Sequence, residues 1–147
     1  MVSSGELNDV AKIAYVLGLL EMDKDSGVFL SKEDTTILSE VEASIRELLA
    51  SYSSHKAKVM KRLERITYGI AFTSEDFEVE LTVFGLNMLY ITLQETERKG
   101  KPLATTLKQF WTKVGDKVKS LIDKHYDSDE DIASDGYWFT VKLLEKI

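Results

Sequence analysis

The densest run of chemistry-bearing side chains is His55-Lys-Ala-Lys-Val-Met-Lys-Arg-Leu-Glu-Arg65. From Lys56 to Arg65 it holds five bases and one acid, a local charge of +4. At helical spacing Lys58, Lys61, Arg62 and Arg65 project from one side, while Val59, Leu63 and Ile66 point inward. Cations so arranged neutralise successive phosphates without reading bases. The same face would dock an acidic protein, or simply solvate an amphipathic helix. No aromatic residue interleaves the run, as stacking on unpaired bases requires. Lys113, Lys117 and Lys124 make a second, sparser basic edge.

A second candidate is acidic. Asp23-Lys-Asp-Ser-Gly-Val-Phe-Leu-Ser-Lys-Glu33 lies between two expected helices and resembles an EF-hand calcium loop, with Asp23 and Asp25 at its first and third positions. Calcium takes six to eight oxygens, which the family supplies through clustered carboxylates, a glycine turn and a bidentate glutamate at position twelve. Here Gly27 and Glu33 each arrive one position early, and the shorter Asp34 stands twelfth. The resemblance implies calcium binding at 23–34. The competing reading is a turn followed by a capped helix. Asp127, Asp129 and Asp131 repeat the acidic spacing, but Ile132 stands where glycine belongs.

Catalytic patterns are missing. There is no cysteine, hence no thiolate metal site or disulfide. Neither His55 nor His125 follows a glutamate at the spacing of a di-iron bundle. Zinc-protease, phosphate-loop, dinucleotide and nucleophile-elbow signatures do not occur. His125 continues an apolar stripe after Leu121 and Ile122 and is expected to pack; His55, among bases, is expected at the surface. The expectation is therefore a non-enzymatic chain with no cofactor and no metal.

These groups must be held by helices. Apolar residues recur at steps of three and four along the 147 residues, and alternation with period two is sustained nowhere. The pattern predicts an all-α, single-domain bundle of five or six helices spanning 1–147. Leu7, Val10, Ala14, Leu17 and Leu20 mark the first helix, about 6–22. Ser31 is placed to cap the second, with Asp34 at its third position. Leu38, Val41, Ile45, Leu48 and Tyr52 form that helix's stripe. Val59, Leu63, Ile66 and Ile70 mark a third, which the serines at 51, 53 and 54 either separate or merely kink.

The fourth helix starts near Thr73-Ser-Glu-Asp76 and is apolar nearly all round, so it is expected at the centre. Gly100 should end it, and Pro102 should open the first turn of the next. Leu107, Phe110, Val114, Val118 and Leu121 line the fifth; Ile132, Gly136, Phe139 and Leu143 line the sixth. Gly18, Gly69, Gly85, Gly115 and Gly136 fall inside helices, a repeated cost that implies close helix crossings.

The net charge of −6 disfavours indiscriminate attraction to nucleic acid or anionic lipid. No apolar run is long enough for a membrane span. The start lacks the pattern of a secretory signal, which makes the cytoplasm, of a cell or of an infected host, the expected compartment. Tyr137, Trp138 and Phe139 are consecutive on a helix and cannot share one core, so at least one should face outward. Tyr137 and Trp138 are accordingly the candidate protein interface. The expected function is a small protein-interaction module: an assembly subunit, adaptor or inhibitor. The alternative is a nucleic-acid-associated accessory subunit using the basic helix 56–65.

Overall fold

The computed structural model describes residues 2–22, 31–73, 81–100, 102–128, 137–138 and 140–145. Every regular element among them is helical, in keeping with the expected bundle of five or six helices. Helix α1 spans Ser4–Met22, α2 Lys32–Ser51 and α3 Lys56–Thr73. The fourth rod, α4, is α-helical over Leu81–Leu89, π-helical over Tyr90–Glu95 and α-helical again over Thr96–Arg98. Helix α5 spans Thr105–Ser128, and α6 is described at 137–138 and 140–145.

Local chemistry sets these limits. The hydroxyl of Ser31 accepts from the Asp34 N–H at 3.2 Å, the predicted cap of α2. Tyr52 leaves helical geometry (φ −107°, ψ 19°), and a short 3₁₀ turn over Ser53–His55 leads into α3, so the segment is two helices. Gly100 ends the α4 rod at φ +81°, where a side chain would strain the backbone. Pro102 departs from expectation: it precedes α5, whose first residue is Thr105, and so lies outside the first turn. Thr73, predicted to open α4, is instead the last residue of α3; the rest of that predicted start, 74–76, and the sixth-helix positions Ile132, Gly136 and Phe139 lie outside the described residues.

The core runs the length of the bundle. Helix α1 packs on α2, α3 and α4, and α5 closes the far side against α2 and α4. The stripes of α2 and α5 are buried much as their spacing predicts, although Leu38 is only half-buried. Helix α4 is buried from Thr82 to Leu89, which makes it central, but it shares that place with α1. Of the stripe predicted for α1, Leu7, Val10 and Leu20 are buried and Ala14 and Leu17 only half-buried, while Ala11, Ile13, Val16 and Leu19 are buried as well, because three neighbours surround the helix. Each buried Val, Leu or Ile side chain contributes about 1.5–3 kcal/mol.

Gly85 faces α1, where an added Cβ would lie 3.4 Å from Val16 Cγ1, which is the expected close crossing. Gly115 has a different reason: its Cβ would meet the Trp111 ring of its own helix at 3.0 Å. Gly18 has nothing within 4 Å, and its identity has no structural explanation.

Candidate functional site

Most predicted cations turn out to brace helices. Lys113, Lys117 and Lys124 on α5 pair with Glu47, Glu40 and Asp34 on α2 at 3.0, 3.0 and 2.8 Å. The second basic edge is thus an antiparallel ladder between two helices. Its innermost rung is Asp34, only 5% exposed, whose two carboxylate oxygens both accept from the Lys124 ammonium. Burial works to raise the Asp34 pKa, but hydrogen bonds from Lys124 and Ser31 and the Lys124 charge outweigh it, and the group is lowered. Lys124 is raised, chiefly by its hydrogen bond to Asp34.

That pairing bears on the calcium reading. The carboxylate at the loop's twelfth position points to a lysine on another helix, and residues 23–30 lie outside the described residues. Among the described residues no three His, Asp or Glu side chains are grouped to hold a metal ion.

The basic run on α3 divides in two. Arg62 is a clamp, because its Nε donates to Asn8 Oδ1 at 2.8 Å and its Nη2 to Ser4 Oγ at 3.1 Å. It ties α3 to the first turns of α1. Lys58, Lys61 and Arg65 are exposed, and none forms an ion pair among the described residues. Two large apolar side chains on the same helix are also exposed: Met60 at 47% and Tyr68 at 71%. Tyr68 was missed from sequence because it lies three residues beyond the basic run; extending the helical spacing past Arg65 would have found it.

The second surface is at α6. Thr140 and Leu143 are buried and seat the helix. Tyr137 is half-buried and lines a cleft of about 210 Å³ with Asn87, Tyr90, Glu95, Lys119, Ile122 and Asp123. Trp138, one residue on, is 58% exposed, with its ring edge-on to Tyr137 at 5.5 Å between centroids. Tyr90, which lines the cleft, packs in turn on a hydrogen-bonded tryptophan. Trp111 Nε1 donates to Gln94 Oε1 at 2.7 Å, and its ring meets Tyr90 edge-on at 6.4 Å. A π segment closes its hydrogen bonds one residue later than an α-helix, and both Tyr90 and Gln94 belong to that segment.

His125 is buried as expected, whereas His55, expected at the surface, is half-buried, 3.1 Å from Ser54 Oγ and edge-on to Tyr52. No helix among the described residues is long and apolar enough to cross a membrane. The chain matches no protein-family model, and no curated protein or solved structure is significantly similar to it.

Proposed function

We propose that this chain is a non-enzymatic protein-interaction module, an assembly subunit, adaptor or inhibitor, whose contact surface includes Trp138. One observation carries the reading. The Trp138 indole is held largely in solvent by a helix whose neighbouring residues, Thr140 and Leu143, are fully seated in the bundle. A large aromatic side chain with few rotatable bonds loses little entropy on contact and gains much from desolvation, which is why tryptophan is enriched among interface hot spots. The bracing roles of Asp34, Lys124, Arg62 and Trp111 support the same view, since their polar groups are engaged within the bundle.

The test compares tagged wild-type protein with Trp138→Ala in pull-downs from the source cell, with and without nuclease. A stoichiometric protein partner retained by the wild type and lost by the variant is the expected result. A partner bound equally by both removes Trp138 from the surface. Recovery that nuclease abolishes moves the function to nucleic acid.

A further inference from the structure

Lys58, Lys61, Arg65 and Tyr68 follow one another at steps of three, four and three. At about 3.6 residues per turn these positions fall within an arc of about 80°, and at about 1.5 Å per residue they span about 15 Å of helix. The four side chains are all exposed. They form one straight seam, set apart from the buried line of Val59, Ile66 and Ile70. Arg62 marks its inner border, being folded down onto Asn8 and Ser4. Glu64, the run's one acid, lies beside the seam and makes no ion pair among the described residues.

We propose that this seam binds a single-stranded nucleic acid, its phosphates tracking Lys58, Lys61 and Arg65 and one base stacking on the Tyr68 ring. The proposal is independent of Trp138. It rests first on charge complementarity: three exposed cations stand in line, unpaired with described carboxylates. It rests next on the order of chemistry along the seam. A protein partner favours an apolar centre with a polar rim, whereas here charge fills the seam and the only ring stands at its end. A polyanion with bases free to stack matches that order. A duplex does not, because its base faces are already stacked on one another.

The experiment is fluorescence anisotropy of the full chain with a labelled oligothymidylate. Saturable binding is expected at about 50 mM salt, with a log–log salt slope near −2, since three neutralised phosphates contribute about −0.7 each. Lys61→Glu with Arg65→Glu should abolish it. Tyr68→Ala should weaken it about tenfold, and Tyr68→Phe should retain it. Tyr68→Leu serves as a second variant, keeping an apolar body without the stacking face; it should behave as the alanine does. Lys142→Glu, an exposed charge reversal off the seam, should leave binding within about twofold. Circular dichroism and thermal melting confirm that each variant is folded. The proposal is overturned if the strand does not bind, if a duplex binds as tightly, or if binding ignores both Tyr68→Ala and Tyr68→Leu. Equal competition by polyglutamate would overturn it too, and would make the seam a docking face for acidic protein.

Discussion

Lys124 donates to both carboxylate oxygens of Asp34, at 2.9 and 2.8 Å, across 90 positions of sequence. The contact joins the end of α5 to the first turn of α2, and the same Asp34 supplies the N–H that Ser31 caps. One residue thereby fixes where α2 begins and how α5 lies along it. Glu40 with Lys117 and Glu47 with Lys113 continue the register, although those outer rungs are exposed and contribute little singly.

The inner rung makes stability depend on acid. Asp34 has its pKa lowered in the fold, so its contribution is present above the ordinary carboxylate value, about pH 4, and is lost as pH falls through the folded value. Asp34→Asn should flatten that acid-side fall, as read by urea denaturation at a series of pH values. An unchanged acid slope would show that another carboxylate is responsible.

Two arginines three residues apart should contribute unequally to stability. Arg62→Ala removes the hydrogen bonds to Asn8 and Ser4 and should destabilise by about 1 kcal/mol. Arg65→Ala, on the exposed seam, should stay within about 0.5 kcal/mol of wild type. Denaturant midpoints for the two variants decide the matter.

Two helical glycines should also separate. Gly18→Ala gains helix propensity with no neighbour to meet and should stabilise by about 0.5–1 kcal/mol. Gly115→Ala gains the same propensity but presses a Cβ onto a Trp111 ring pinned by Gln94 and flanked by Tyr90. The overpacking cost of about 1–3 kcal/mol should exceed the gain. Thermal melts of opposite sign are expected, with tryptophan fluorescence altered only in the second.

Tyr52 gives an alkaline counterpart. Its phenol is raised in pKa, first by burial and then by the neighbouring Glu6 carboxylate, to which it donates. Its contribution is therefore complete below the ordinary tyrosine value, about pH 10, and is lost as pH rises through the folded value. Tyr52→Phe should cost about 1 kcal/mol at neutral pH and reduce the alkaline fall in stability. Equal alkaline slopes in the two proteins would assign that fall elsewhere.

The legible parts of this protein were those governed by neighbours in sequence. Steps of three and four placed Val41, Ile45 and Leu48 in the core of α2, and Val114, Val118 and Leu121 in that of α5, because helical periodicity is itself local. Ser31 and Gly100 declared helix ends for the same reason, since a cap is satisfied within one turn. The three adjacent aromatic residues at 137–139 implied at least one outward ring, and Trp138 is exposed.

What tertiary structure decided is which charges remain exposed. Nothing in the local pattern separates Arg62 from Arg65, or Lys124 from Lys61; each is a cation on the polar side of a helix. Only the packing of α3 on α1 turned Arg62 into a clamp, and only α5 against α2 drew Lys113, Lys117 and Lys124 to their carboxylates. Tyr68 likewise joined the basic seam only when the fold left it exposed at the seam's end. Sequence spacing fixes a side chain's direction around its own axis; whether that direction meets water or another helix is set by elements tens of residues away.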